Sequence, residues 1–295
     1  MNLNNHRQEI MDMTDIHASG YSPTIKKRAL SRKLVDLRKQ CGMTTAQVCR
    51  QLTWSHTKLN YIEKAKWVEP NSDAVADLCE LYGVEGSDRE ALITLTREAR
   101  QRGWWRKYND VFVSELPGFE AGASSIQTFQ NTVVPGLLQV PSYVELITRA
   151  NGYEDEAEIK RRVDARLERQ KILTRGRGPC RLHAIIDENA ILRINNAEVR
   201  AEQLLHLIHA TDRRNIDLQI LRIADGVYRE AGEVFTYLTF PDSAERDIVY
   251  LETSIDNRML EETDELERYM VRFDRLRAAA LDSAQTRVYL AQQLE

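Results

Sequence analysis

Six polar side chains crowd into seven consecutive positions: Ser55, His56, Thr57, Lys58, Asn60 and Tyr61. Leu59 and Ile62 are interleaved with them, so a helix starting at Ser55 would bury that apolar pair and turn His56, Thr57, Asn60 and Tyr61 outward. Hydroxyls, an amide, an imidazole and an ammonium in this pattern suit recognition better than bond making. They can meet base edges in a major groove, where each good contact gives about 1–3 kcal/mol of discrimination. An ordinary solvated helix face carries the same residue types, so the surrounding elements must decide.

The stretch Leu34–Pro70 reads as three helical pieces. The first spans Ala29–Gln40, with Leu30, Leu34 and Leu37 on one face and a start that can reach back to Ser22-Pro23-Thr24, since proline is accepted in a first turn. Cys41-Gly42-Met43 ends it, glycine taking the left-handed position. Thr44 caps the second helix and Gln47 completes a capping box, with Ala46, Val48 and Cys49 facing inward. A turn at Leu52-Thr53-Trp54 leads to Ser55, the cap of the third. Two short helices in succession, the second polar on its outer face, make a helix-turn-helix.

Charge supports that reading. Residues 22–68 hold eleven Lys and Arg against Asp36 and Glu63, a net of +9, while the whole chain is at −4, leaving −13 elsewhere. A basic module on an acidic body is the footprint of a protein that binds nucleic acid by one end. The cluster Lys26-Lys27-Arg28 opposes the dipole of its own helix, which suits either a phosphate partner or a solvated end.

Beyond Pro70, a fourth helix is capped by Asn71 or Ser72 and ends at Gly83, and a fifth covers Asp88–Arg102 as last piece and connector. Trp104-Trp105 follows, suited to a hydrophobic seam or to a ligand. From Tyr108 the pattern changes. Glu154–Leu173 reads as a long helix with Ile159, Val163 and Leu167 on its inner face, while Arg162, Arg166 and Arg169 line another side as a surface ladder. Strand-like runs occur at Ser124–Phe129, Arg181–Ile186, Asp217–Leu221, Val234–Phe240 and Ile248–Leu251, with helices over Val199–Ala210, Asp264–Leu281 and Ser283–Leu294. The expected fold class is α+β: an N-terminal all-α five-helix domain, then a larger mixed domain with C-terminal helices. The expected divisions are a flexible tail at 1–21, a DNA-binding domain at 22–84, a connector at 85–107 and an α+β regulatory domain at 108–295.

Composition limits the alternatives. Cys41, Cys49, Cys79 and Cys180 have neither CxxC nor zinc spacing, so no metal and no cofactor is expected. No apolar run approaches the ~18 residues of a membrane span, and residues 1–20 lack the apolar core of a signal peptide. A cytoplasmic protein with no membrane partner is expected. No nucleophile elbow, phosphate loop or HExxH occurs. Strand alternation puts His183 and Asp187 on one face and Glu188 opposite, with no second half of a catalytic site, so the chain is not expected to be an enzyme.

Arg38, Gly42-Met43-Thr44, Cys49, Ser55, Leu59 and Ile62-Glu63 fall as in the XRE family of lambda and 434 repressor-like DNA-binding domains, which this segment resembles. The resemblance implies double-stranded operator DNA as partner, phosphate contacts from Thr44 and Thr45, and base-facing positions at His56, Thr57 and Tyr61 with Asn60 beside them. It also implies a mostly buried ion pair between Arg38 and Glu63, and binding as a homodimer. Thr53 and Ala65 stand where the family commonly has glycine. Further on, Trp104-Trp105, Val134-Pro135-Gly136-Leu137-Leu138-Gln139, Arg161-Arg162 with Arg169-Gln170, Asp187-Glu188-Asn189-Ala190 and Val249-Tyr250-Leu251-Glu252 are similar to the uncharacterised C-terminal domain of actinobacterial, Streptomyces-type XRE regulators. That similarity implies a regulator whose C-terminal domain binds a small partner protein encoded by a neighbouring gene, in an antitoxin-like arrangement. The alternative is gating by a small molecule, with Trp104, Trp105, Tyr108 and Arg169 as possible ligand or partner contacts; an enzyme fused to a DNA-binding domain is remote.

Overall fold

The computed structural model describes residues 21–294, apart from 113, 177, 229, 231, 242–244 and 253–256. The tail expected at 1–21 lies outside the described residues except for Tyr21, whose hydroxyl donates to the Glu98 carbonyl. The chain forms two compact units, Tyr21–Arg106 and the part from Lys107 onward.

The first unit is all helical: α1 (Pro23–Gln40), α2 (Thr45–Gln51), α3 (His56–Glu63), α4 (Ser72–Leu81) and α5 (Gly86–Arg100). Ser22 caps α1 by accepting from the Ile25 amide, with Pro23 in the first turn. Leu30, Leu34, Val48, Leu59, Ile62, Val75, Leu78 and Leu92 build one core. α5 packs along α1 and against α4, so the helix expected as last piece and connector forms an integral wall of this unit. Tertiary burial of Leu92 and Ala99 recruits it.

The second unit is a mixed six-stranded sheet, in order β3-β2-β1-β4-β5-β6, with helices around it. The strands are β1 (Ser125–Gln130), β2 (Arg181–Asp187), β3 (Ile216–Leu221), β4 (Phe235–Thr239), β5 (Ile248–Glu252) and β6 (Asn257–Leu260). β1, β2 and β3 run parallel, and β4 to β6 form an antiparallel meander beside β1. β6 has no counterpart in the sequence reading; only Leu260 of its four residues is buried, so it carries little apolar signal. The helices are α6 (Leu116–Gly122), α7 (Pro141–Ala150), α8 (Glu156–Gln170), α9 (Asn189–Leu192), α10 (Ala197–Ala210), α11 (Thr263–Ala279) and α12 (Ser283–Gln292). One sheet face carries Phe129, Ile185, Phe235, Tyr237, Val249 and Leu251, packed with Phe273 and Leu276 of α11. The opposite face, by the two-residue period of a strand, presents Ile126, Thr128, Thr236 and Tyr250.

α8 departs most from expectation. Ile159 and Ala165 are buried, but Leu167 is 36% exposed, and Arg166 and Arg169 line a partly open cavity. Positions four apart drift about 40° around a helix per step, so Leu167 leaves the inner face that Ile159 starts. Residues 159, 162, 166 and 169, alternating steps of three and four, stay on it. The arginines follow the inner stripe.

Candidate nucleic-acid interface

Local capping sets the two reading helices. Gln47 N–H donates to Thr44 Oγ1 at 3.3 Å and Thr44 N–H donates to Gln47 Oε1 at 2.8 Å, closing the capping box at the start of α2. Ser55 Oγ accepts from the Lys58 amide at 3.2 Å and starts α3. Val48 and Cys49 of α2 and Leu59 and Ile62 of α3 are buried, whereas Ala46, expected to face inward, is exposed. Cys79 is buried as well.

The turns on either side of α3 use the left-handed backbone region at Thr53 and Ala65, both with φ of 54°. Those are the two positions where glycine was expected by resemblance. A side chain there costs about 1–2 kcal/mol, so the geometry persists with strain that glycine would lack.

Arg38 ties the first helix to the third. Its Nε donates to Glu63 Oε1 at 2.6 Å, one terminal nitrogen to Glu63 Oε2 at 3.0 Å, and the other to the Met43 carbonyl at 2.9 Å. Both side chains are mostly buried, and hydrogen bonding to Glu63 raises the Arg38 pKa against the cost of burial. The pair therefore fixes the angle at which α3 is presented.

Thr44, Thr45, Ser55, His56, Thr57, Lys58, Asn60 and Tyr61 are all exposed. Thr45, His56, Thr57, Asn60 and Glu63 line one surface depression, so the start of α2 and the outer face of α3 form a single concavity. Tyr61 lies outside it, 49% exposed. The Lys58 ammonium stands 3.5 Å over the Trp54 ring, a contact consistent with their spacing of four residues. Lys26, by contrast, is drawn into an ion pair with Glu98 at 3.2 Å. Part of the basic cluster therefore has an internal partner.

The remaining candidates separate. Trp104 and Tyr108 are buried and Trp105 half-buried in a 3₁₀ turn, and none of the three lines the cavity of the second unit. Arg161 stacks over Tyr108 and pairs with Asp110. Arg169 does line the cavity, bound to both carboxylate oxygens of buried Glu120. Sequence reasoning missed the roles of Glu120 and Gly136 and the inward direction of Arg166; only the last was signalled, by the three-four spacing along α8. His183 bonds to Gln219 at 2.8 Å, while Asp187 is held by Asn189 and Tyr228, so the two belong to separate networks.

Residues 29–92 match a family described as a helix-turn-helix domain, and residues 113–292 match one described as a domain of unknown function, DUF5753. No curated protein and no solved structure matches the chain.

Proposed function

Because the chain belongs to the DUF5753 family and carries a helix-turn-helix domain ahead of it, we propose that it is a sequence-specific, XRE-type transcriptional regulator of the actinobacterial kind. The observation that carries this reading is the single exposed concavity formed by the start of α2 and the outer face of α3. With α3 in a major groove, His56, Thr57, Asn60 and Tyr61 address base edges, and Thr44 and Thr45 address phosphate. Lys58 adds a phosphate contact, steadied by Trp54. The chain acts as a homodimer on two half-sites about 34–36 Å apart, and by binding alone, without a reaction of its own.

A mobility-shift series with the full chain on its own promoter DNA tests this. Affinity should fall steeply with salt, with a log–log slope near −0.9 per phosphate contacted. Equal affinity for a scrambled duplex would end the claim of sequence specificity.

The C-terminal domain supplies the regulatory input, and a small partner protein is the first reading. An exposed apolar side chain on the last strand of the sheet order, Met259 of β6, supports it. Copurification of a small protein that Met259→Lys abolishes is the expected result. The second reading, a ligand-gated regulator, is favoured by the cavity beneath α8.

A further inference from the structure

The second face of the sheet does not close on a packed core. Ile126 and Thr128 of β1, Thr236 of β4 and Tyr250 of β5 open on a cavity of about 390 Å³, bounded from the other side by α6, the Val134–Gln139 run and α8. Small-molecule sites typically occupy about 300–1,000 Å³. Val111, Ile126, Val133, Leu137 and Ile147 supply apolar walls.

Two guanidiniums enter from α8 with unequal company. Arg169 is neutralised by Glu120, its Nη2 donating to Oε1 at 2.7 Å. Arg166 has no hydrogen bond or ion pair among the described residues. Burial and then the charge of Arg169 push its pKa down to about 10, opposed by Glu120 and by exposed Glu252. A buried cation lacking a bonded carboxylate is expensive to keep, so its retention needs a reason. The wall beside it is shaped around it: a Cβ on Gly136 would lie 2.5 Å from one Arg166 terminal nitrogen and 3.0 Å from one of Arg169.

An acceptor is held ready nearby. Gln139 Nε2 donates to the Val134 carbonyl at 2.7 Å, which fixes the amide, and its Oε1 is buried without a partner. Gln170 braces the same run by donating to the carbonyls of Gly136 at 3.1 Å and Gln139 at 2.7 Å.

We propose that this cavity binds an organic carboxylate with an apolar body, the Arg166 fork taking the carboxylate and Gln139 Oε1 taking one ligand donor. A planar guanidinium matches a carboxylate through two parallel hydrogen bonds. Arg166 offers one free fork, and with Glu120 and Glu252 already lining the cavity a monoanion brings less like charge than a phosphate dianion. The proposal deepens the ligand-gated reading and rests on it only for an effect on DNA, since occupancy of the cavity stands by itself.

The test is thermal melting of the full chain with 4-hydroxyphenylacetate and 3-hydroxydecanoate, each against its uncharged amide. At saturation at least one acid should raise the melting point by about 5 °C or more, and its amide should not. Arg166→Met should abolish that shift while raising the ligand-free melting point by about 2–4 °C, because an unbonded buried charge is removed. Arg166→Lys should keep a reduced shift. Equal response to acid and amide, no response to either acid, or a lower melting point in Arg166→Met would overturn the proposal. A parallel mobility shift separates the two claims: binding of acid without release of DNA would sink ligand gating and leave the site standing.

Discussion

α3 and α8 are both polar helices with sparse apolar residues, yet they dispose of their charges in opposite ways. In α3 the buried pair Leu59 and Ile62, with Glu63 tied to Arg38, sets the orientation, and each side chain proposed to touch DNA faces solvent. In α8 only Ile159 and Ala165 are buried outright, while Arg166 and Arg169 lie on the inward side. An amphipathic pattern predicts direction when hydrophobic burial is the dominant force. Where a buried carboxylate and a cavity await, arginine can follow the inner stripe, its stem packing and its head finding Glu120.

The contrast is broken most severely by removing the carboxylates that each region depends on. Glu120→Ala should destabilise the C-terminal unit by about 3–5 kcal/mol, since Arg169 is left charged and alone. Glu63→Ala should cost the N-terminal unit a similar amount by stranding Arg38. Urea unfolding followed by unit-specific probes measures both, and little change in either would deny that pair its structural role. Next in size, Thr57→Ala or Tyr61→Ala should shift preference among operator variants by about 1–3 kcal/mol, read by competition binding, whereas Lys58→Ala should weaken all sites alike. If preference is untouched by both, α3 is not the reader.

Smaller effects sharpen the comparison. Ala65→Gly, relieving a left-handed alanine, should stabilise the helix-turn-helix by about 0.5–1 kcal/mol after glycine's greater chain entropy is counted. A loss of stability there would mean the turn is not strained. Leu167→Gln should change stability by less than about 0.5 kcal/mol, because the side chain lies on the outward side of α8. A drop of several kcal/mol would restore the four-step inner face.

The N-terminal unit was legible because its signals are local. Caps at Thr44 and Ser55, the stop at Gly42 and the leucine spacing all act within a few residues, and Gly42 does adopt a positive φ of 66°. Even the sites of strain were marked, since Thr53 and Ala65 stand at unusual places in the pattern. In the larger unit the strand runs of β1 to β5 were visible as apolar stretches, but strand order was not. Neither was the cavity: Arg169 meets Glu120 across 49 residues, and Glu120 sits in a short helix with no recognisable charge pattern. Leu167 leaves the inner face because steps of four drift around the helix, and Ala46 is exposed although it is small and apolar.

The position of β1 has a consequence for how the protein is made. It is flanked by β2 on one side and β4 on the other, and Ser124 waits for its carbonyl partner on Thr239, 115 residues further along the chain. A ribosome thus delivers the whole duplex reader well before the sheet can be completed, and long-range pairing is the slower event. All four tryptophans, at 54, 67, 104 and 105, fall in the early unit. On refolding from urea, indole fluorescence should recover before the far-ultraviolet sheet signal; simultaneous recovery would mean the two units acquire their structure as one. For an interval during synthesis, the nascent protein holds its helix-turn-helix surface without the domain that follows it.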